Sequence, residues 1–343
     1  MKNTKESRNK KTSVILKAVR IILICLVTIA LLVFGLYKLV TYQWQDKPEE
    51  YSVTNQYITK LGETKVLAHR AGKSLFPQGT MMAFEGCVNS EEFETDFFEF
   101  DVKLTKDEEL IILHDDTFDD VSNAVEYFGK TEIYPADYTY EELYNLNMGE
   151  YFRNADGEAI YQGLRGDDIP DNLRVLTARD ALTYTENNGD YYYSIEIKIG
   201  GEVGFRAADI LYGILSEMNI LNKVIVASFD KDVILYLEET YPDLSRTAYN
   251  VEAAVLFFDA LLGIERPEGY YKFDVLQVPP DRYIVNMGTS KLVNYAHKNN
   301  IAVHYWTIND AEKMKLLQSI GADGIITDKP DVAYEVLYSQ NEK

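Results

Sequence analysis

The sequence predicts an α/β fold, a (β/α)8 TIM barrel preceded by a single transmembrane helix. Short, almost continuously apolar runs alternate with helix-like segments, and eight such pairs fit within about 280 residues. The runs lack strict alternation of apolar and polar residues, as expected for parallel strands that are buried on both faces. Ahead of them, an uncharged apolar run at 21–37 predicts the helix.

The amino-terminal segment is divided by charge. Residues 1–20 form a basic tail, and residues 21–40 are apolar enough to cross a bilayer core of roughly 30 Å. Because positive charge is retained on the cytoplasmic side, the rest of the chain is expected outside the cytoplasm. A cleaved signal peptide is the alternative, but Tyr37 to Tyr42 offer no small-residue cleavage pattern. We therefore expect a single-pass anchor in a plasma membrane, with the amino terminus cytoplasmic.

Net charge and cysteine content exclude two classes of protein. Residues 1–47 hold nine basic and two acidic residues and therefore carry a net charge of +7. Because the whole chain has a net charge of −21, residues 48–343 carry −28. An acidic domain of this kind repels polyanions, which excludes nucleic-acid binding as its main role. Of the two cysteines, Cys25 lies in the apolar run, so Cys87 has no partner for a disulfide. An exported domain without disulfides indicates a bacterial protein.

The remaining chain divides into a polar linker at 41–60 and a barrel domain at 61–343. Helices are predicted at 80–91, 177–187, 202–218, 230–240, 252–262, 289–299, 310–320 and 331–340. Barrel strands are predicted at 65–70, 97–103, 192–198, 223–229, 245–250, 274–279, 301–306 and 322–327.

One apolar run does not fit this alternation. Residues 110–114 resemble a strand, but the gap after the second strand is too short for a crossover helix, which predicts a hairpin extension. Residues 115–173 then contain many acids and few periodic apolar runs. They predict an insertion over one end of the barrel, with short helices such as 139–147. We expect its tyrosines to pack on the barrel, with substrate contact as the alternative; they include Tyr127, Tyr134, Tyr138 and Tyr140.

Carboxylates follow the strands at the end where TIM barrels carry their active sites. Glu99 and Asp101 are two residues apart and point to the same side of one strand, and Glu196 and Lys198 repeat that spacing. Three carboxylates at one barrel mouth repel one another unless a cation lies between them. Oxygen ligands favour Ca²⁺ or Mg²⁺ over zinc. A salt-bridge network with Lys198 and Arg70 is the alternative.

Two histidines occur at strand ends. His69 ends the first strand beside Arg70, and His114 follows the hairpin extension. Such a pair supplies a base and an acid near neutral pH, and an arginine can bind phosphate with two hydrogen bonds. Together with a hard metal these groups indicate phosphoryl transfer to or from oxygen. The other two histidines, His297 and His304, are expected to be structural.

The order of the motifs resembles that of the glycerophosphodiester phosphodiesterase family. The resemblance covers nearly all of residues 65–330, and although each motif is weak alone, their joint order and spacing are specific. The segments are A-H-R-A-G at 68–72, F-E-F-D-V at 98–102, T-K-D at 105–107, L-H-D at 113–115, I-E-I-K at 195–198, S-F at 228–229, W-T-I-N at 306–309 and G-A-D-G-I-I-T-D-K-P at 321–330.

The resemblance implies roles for these residues. Members of the family hydrolyse glycerophosphodiesters to glycerol 3-phosphate and an alcohol. The related phosphatidylinositol phospholipases C imply that a neighbouring substrate hydroxyl attacks phosphorus first. The implied roles are acid–base catalysis for His69 and His114, metal binding for Glu99, Asp101 and Glu196, and substrate binding for Arg70, Lys198 and Trp306.

Two loops depart from the family pattern. Gln78-Gly79 stands where the family usually has Glu-Asn, and Asp116-Thr117 stands where an R-T-T run is common. We therefore expect retained catalysis with an altered headgroup preference. The leading hypothesis is an outward-facing, membrane-tethered glycerophosphodiesterase that acts on deacylated phospholipids, lysolipids or glycerophosphate polymers of an envelope. The alternatives are a phospholipase acting on intact membrane lipid, which an exposed apolar rim would favour, and a degenerate barrel that only binds.

Overall fold

The computed structural model describes residues 2–42, 46–282 and 284–338. Eight parallel strands follow one another around a barrel in the order β6, β5, β4, β2, β1, β11, β10, β7. A parallel bridge between Thr247 and Val275 joins the two ends of this order. The predicted barrel is confirmed. Its strands are β1 (Lys65–His69), β2 (Phe97–Leu104), β4 (Tyr192–Ile197), β5 (Val224–Ala227), β6 (Ser245–Arg246), β7 (Val275–Val278), β10 (Ala302–Tyr305) and β11 (Gly324–Thr327).

Most of the helices follow a strand and cover the outside of the barrel. Several begin where a threonine or aspartate after a strand accepts a backbone N–H of the first turn, as Thr80, Asp230 and Asp310 do. The helices are α1 (Lys2–Thr41), α2 (Met81–Val88), α3 (Ala124–Phe128), α4 (Tyr140–Leu143), α5 (Ala178–Asn188), α6 (Gly201–Glu217), α7 (Lys231–Thr240), α8 (Asn250–Leu262), α9 (Ser290–Lys298), α10 (Ala311–Ser319) and α11 (Pro330–Tyr338).

Register in the barrel sheet determines which side chains meet at its mouth. All eight residues of β2 are buried, and this strand lies between β1 and β4. His69 is paired with Glu99 across β1 and β2, and Asp101 is paired with Glu196 across β2 and β4. Neighbouring parallel strands are about 4.8 Å apart. The backbone register alone therefore brings the three predicted acids and one predicted histidine next to one another.

The extension and insertion after β2 form a small layer with its own apolar core. β3 (Leu110–Ile112) pairs antiparallel with β2, which confirms the hairpin. The predicted helix at 139–147 is reduced to α4, and the side chain of Asn147 instead bonds the backbone of Gly149 and Tyr161. The insertion buries an apolar cluster that includes Phe118, Ile133, Leu143, Leu146 and Met148.

The tyrosines of the insertion contribute to packing within it and against the barrel. Tyr138 packs on Phe128 with ring centroids 4.3 Å apart, and the Tyr140 hydroxyl donates to the carbonyl of Val175 at 3.2 Å. Tyr127 and Tyr134 are largely exposed. None of these four tyrosines contributes to the large cavity at the barrel mouth. Packing is therefore the interpretation that the structure favours.

The predicted linker crosses the amino-terminal end of the barrel. Backbone N–H groups of Thr54 and Asn55 both donate to Oδ1 of Asn300, at 2.8 and 3.0 Å. Tyr57 is buried between the first residues of two strands, 6.4 Å from the ring of Phe97 and 6.0 Å from that of Tyr192. This part of the linker thus plugs the bottom of the barrel in addition to connecting it to α1.

Removing the plug is expected to lower the stability of the barrel. Tyr57→Ala deletes a buried ring, and such deletions cost about 3 kcal/mol, which corresponds to a fall in Tm of roughly 5 °C for a domain of this size. Thermal unfolding of the detergent-solubilised full chain measures the change. Tyr127→Ala, at a tyrosine that is 49% exposed, is the matched control and should leave Tm within about 1 °C. Equal shifts in the two variants would contradict a stabilising role for the plug.

α1 contains the only helix segment, among the described residues, that is long and apolar enough to span a membrane. This segment, Leu16–Thr41, is exposed along most of its length and would also pass as a signal sequence. Its last turn lies against the hairpin of β8 (Asp281–Arg282) and β9 (Val285–Asn286). Val40 is buried in an apolar cluster of the barrel. The hairpin was not predicted, because each arm has only two residues.

Candidate active site

The predicted site residues converge on one cavity of about 580 Å³ at the carboxyl ends of the barrel strands. Most of them lie at or just beyond the end of a strand, whereas Glu99 and Asp101 lie within β2, before the residues of β2 that pair with β3. The predicted residues that line the cavity are His69, Arg70, Glu99, Asp101, His114, Glu196, Lys198 and Trp306.

Three carboxylates form the centre of the cavity wall. One oxygen from each of Glu99, Asp101 and Glu196 lies within 4.8 Å of the other two. Burial raises the pKa of Glu99 well above its usual range, and the charge of Asp101 raises it further. Burial and the same aspartate raise the pKa of Glu196. Burial and mutual repulsion therefore disfavour the ionised forms of Glu99 and Glu196, and a cation beside them would favour those forms.

Two basic side chains neutralise the cluster only in part. Lys198 Nζ lies 2.9 Å from Glu196 Oε1 and 3.3 Å from Asp101 Oδ1. Although burial opposes its charge, these two carboxylates raise the pKa of Lys198. Arg70 Nε lies 3.8 Å from Asp101 Oδ2, too far for a hydrogen bond, and this buried oxygen has no hydrogen-bond partner in the described part of the chain. An oxygen-rich cluster with an unpartnered acceptor fits a hard divalent cation.

His69 is oriented by a residue at the opposite end of the sequence. Its Nδ1 lies 2.5 Å from Asp328 Oδ1, and its Nε2 lies 3.9 Å from Glu99 Oε2. Burial lowers the pKa of His69. Burial opposes the ionisation of Asp328, but hydrogen bonds from His69 and Asn309 lower its pKa to about 2. The consistent arrangement is a neutral imidazole that donates from Nδ1 to an ionised Asp328, with Nε2 facing the acidic cluster.

His114 is more accessible and has a separate partner. It follows β3, its side chain is 33% exposed, and its Nδ1 lies 2.7 Å from Asp115 Oδ1. The hydrogen bond from His114 lowers the pKa of Asp115, although burial acts in the opposite direction. The two histidines thus reach one cavity from different strands, and each has a carboxylate on Nδ1.

Arg70 has an uncommon backbone conformation and contacts one of the departures from the family pattern. Its φ of +50° lies in the left-handed region, which non-glycine residues rarely occupy. Its backbone N–H donates to Glu99 Oε2 at 3.0 Å, and its Nη1 donates to Gln78 Oε1 at 2.7 Å. A glutamate at position 78 would neutralise the guanidinium, whereas the neutral glutamine leaves its charge available to an anion.

Sequence reasoning assigned no role to several residues of the site. Asp328 lies within the segment G-A-D-G-I-I-T-D-K-P at 321–330, which gave it no role of its own, and Lys73 Nζ lies 3.5 Å from its Oδ1. Phe229 lines the cavity and meets the ring of Trp306 edge-on, with centroids 6.2 Å apart. Lys198 Nζ lies 5.4 Å from the centre of the Phe229 ring. The dipeptide S-F at 228–229 was the only signal for Phe229.

The remaining two histidines are structural, as expected. His297 Nε2 lies 2.8 Å from Asp323 Oδ2, and both side chains are buried. His304 is buried inside β10, and burial lowers its pKa to about 4. Neither lines the cavity at the barrel mouth.

Known proteins resemble this chain in sequence and fold. A glycerophosphodiester phosphodiesterase from Bacillus altitudinis is 28% identical over 280 residues, which cover 80% of this chain and 98% of that protein. One from Caldanaerobacter subterraneus is 27% identical over 269 residues, covering 78% and 96%.

Solved structures share the fold at low identity. A putative glycerophosphoryl diester phosphodiesterase from Silicibacter pomeroyi has a TM-score of 0.64 at 18% identity, covering 83% of this chain and 96% of that one. An Oleispira antarctica phosphodiesterase, solved with the product sn-glycerol-3-phosphate, has a TM-score of 0.60 at 16% identity, covering 80% and 97%. The model of the glycerophosphoryl diester phosphodiesterase family matches residues 69–332. The chain therefore belongs to the glycerophosphoryl diester phosphodiesterase family.

Proposed function

We propose that this protein is a membrane-anchored, divalent-metal-dependent enzyme that hydrolyses glycerophosphodiesters to glycerol 3-phosphate and an alcohol. Family membership makes it a phosphoric diester hydrolase. The observation that carries the proposal is the meeting of a three-carboxylate cluster and two carboxylate-oriented histidines in one cavity. The intact site argues against a degenerate barrel that only binds.

The metal site in this proposal is formed by Glu99, Asp101 and Glu196, whose oxygens suit Ca²⁺ or Mg²⁺. When bound there, the ion supplies positive charge that stabilises the developing negative charge on phosphate oxygens. Lys198 holds two of the carboxylates in place and contributes further positive charge. Arg70 is the candidate for binding the phosphate, since it lines the cavity and its guanidinium is bonded to a neutral glutamine.

The reaction that we propose has two steps. A hydroxyl next to the phosphate on the substrate glycerol attacks phosphorus, and the bond from phosphorus to the alcohol oxygen breaks. His69 Nε2 accepts the proton of the attacking hydroxyl, because Asp328 stabilises the imidazolium that forms. His114, at the more exposed side, donates a proton to the departing oxygen. Water then opens the cyclic phosphate while the two histidines exchange roles.

We also propose the topology that the amino-terminal segment indicates. Residues 1–20 lie in the cytoplasm, residues 21–40 anchor the chain in the plasma membrane, and residues 41–60 link the anchor to an extracytoplasmic barrel at 61–343. The exposed apolar surface of Leu16–Thr41 supports this arrangement. A reporter that is active only in the cytoplasm, fused after the last residue, should be silent. A mature chain shortened by about 40 residues would contradict the anchor and support a cleaved signal.

Chelation is expected to abolish hydrolysis. The full-length protein in lipid nanodiscs is incubated with glycerophosphocholine or glycerophosphoglycerol, and release of glycerol 3-phosphate is measured. EDTA should lower the rate at least about 100-fold, because the carboxylate cluster loses the charge that offsets its repulsion. Excess Mg²⁺ or Ca²⁺ should restore the rate, and EDTA already saturated with Ca²⁺ is the control. Undiminished product release after exhaustive chelation would contradict metal dependence, and no release with metal would contradict the activity.

A further inference from the structure

The mouth of the barrel is divided into a polar half and an apolar half, and the division follows the strand order. The acids, His69 and Arg70 all come from β1, β2 and β4, which are consecutive neighbours in the sheet. The side chains after β5, β7 and β10, on the other half, include Phe229, Pro279 and Trp306. The cavity is therefore larger and more apolar than a phosphate and a metal ion require.

The apolar half continues into a space between α8 and the β8–β9 hairpin, which we call the apolar arm. Two polar side chains on this half have partners within the protein: Gln277 donates to Ser194 Oγ at 2.9 Å, and Arg282, which is exposed, donates to Asn250 Oδ1 at 3.5 Å. The arm is lined by Ala253, Ala254, Phe257 and Phe258 of α8, and by Val285 and Met287 from the hairpin side.

The apolar arm lies beside the end of the amino-terminal helix. The last turn of α1 lies against β9, and Val40 is buried in the same apolar cluster as Phe257 of α8. Two large apolar side chains are exposed around this point: Phe258 is 46% exposed and Ile284 at the hairpin tip is 57% exposed. With α1 in a bilayer, the arm opens close to the membrane surface. Exposed apolar groups at that position fit contact with lipid.

We propose that the substrate is a glycerophosphodiester that carries one hydrocarbon chain, a lysophospholipid taken from the membrane that holds α1. This inference rests on the proposed function and specifies its substrate class. The polar half binds the phosphodiester, and the chain occupies the apolar arm, where burial of each methylene favours binding. The cavity of about 580 Å³ is within the roughly 300–1,000 Å³ of sites that enclose small ligands.

The chemistry selects a lipid with one chain over a lipid with two. The attacking group is a hydroxyl next to the phosphate on glycerol, and in a lipid with two acyl chains that oxygen is esterified. With one chain, the free hydroxyl oxygen bonds to phosphorus and its proton passes to His69. The bond to the headgroup oxygen breaks, and that oxygen takes a proton from His114. Water opens the cyclic phosphate, which leaves a chain-bearing glycerol phosphate and the free alcohol.

The test compares substrates that differ only in their chain. Full-length protein in nanodiscs is given glycerophosphocholine and lysophosphatidylcholines of six to twelve carbons, each below its micelle concentration, and choline release is measured. We expect kcat/KM to rise with chain length, by at least about ten-fold over the series. Ala254→Trp narrows the arm and should lower kcat/KM for the longest chain about ten-fold relative to glycerophosphocholine. Leu262→Trp, at an exposed residue of α8 outside the cavity, should leave the series unchanged.

Each outcome decides a separate point. A rate independent of chain length would overturn the inference while glycerophosphocholine hydrolysis still supports the proposed function. If no substrate is hydrolysed in the presence of metal, the proposed function itself fails. Hydrolysis of a two-chain phosphatidylcholine as fast as of its one-chain analogue would overturn the selection of one chain. The series on the unsubstituted protein tests the inference even where A254W does not fold.

Discussion

Replacing His69 with alanine is expected to lower kcat for glycerophosphocholine by about three orders of magnitude. General acid–base groups contribute about 10²–10⁴-fold, and His69 is the better oriented of the two candidates. Its Nδ1 is fixed 2.5 Å from Asp328, so its Nε2 faces the carboxylate cluster where the attacking hydroxyl is expected. Steady-state kinetics on the full chain in nanodiscs measures the loss, and His114→Ala is expected to cause a loss of similar size.

A graded series separates proton transfer from structural damage. Asp328→Asn keeps a hydrogen bond to His69 but removes the charge that stabilises its imidazolium, so we expect a smaller loss of about 10- to 100-fold. Imidazole added in solution should restore part of the H69A rate, because the deleted side chain leaves a space beside the cavity. Unchanged thermal unfolding of H69A serves as the control for folding. A kcat within about three-fold of the unsubstituted protein would exclude His69 as a catalytic base.

The sequence predicted the barrel well because each strand is a local apolar run. β6 is the exception, because a strand of six residues was predicted at 245–250 and only Ser245–Arg246 form one. The guanidinium of Arg246, the last residue of this strand, is buried and forms ion pairs with Glu238 and Glu252. These ion pairs stabilise the end of the short strand. The plug formed by Tyr57 was not predicted either, because its partners Phe97, Tyr192 and Val224 are distant in the sequence.

The site residues that could be predicted are those that a short stretch of sequence places together. Glu99 and Asp101 share a side of β2 through two-residue spacing, and the structure brings Glu196 to the same point. The partner of His69 could not be found in this way, since Asp328 is 259 residues away and only barrel closure brings β11 beside β1. The apolar arm was equally hidden, because α8 and the hairpin look like ordinary packing segments in the sequence.

Glu99→Gln is expected to remove most of the stabilisation that a divalent metal gives to the folded protein. A ligand at 100 times its Kd stabilises the folded state by about 2.7 kcal/mol, so Mg²⁺ or Ca²⁺ should raise the Tm of the unsubstituted protein by several degrees. Glutamine keeps an acceptor for the backbone N–H of Arg70 but removes one of three charges that would hold the ion. We expect at least about a 100-fold weaker metal affinity, and activity should fall by a similar factor at subsaturating metal.

Without metal, Glu99→Gln is not expected to lower the thermal stability of the protein. Burial and Asp101 disfavour the ionised form of Glu99 when no cation is present, so the neutral glutamine should leave the metal-free Tm unchanged or slightly higher. Thermal unfolding with EDTA gives the Tm without metal, and thermal unfolding with increasing Mg²⁺ or Ca²⁺ gives the Tm with metal. Calorimetric titration measures the metal affinity. Glu92→Gln, at an exposed acid outside the cluster, should keep the full metal response. A metal response of E99Q equal to that of E92Q would show that the ion binds elsewhere. The carboxylate cluster would then be the salt-bridge network that Lys198 and Arg70 already form in part.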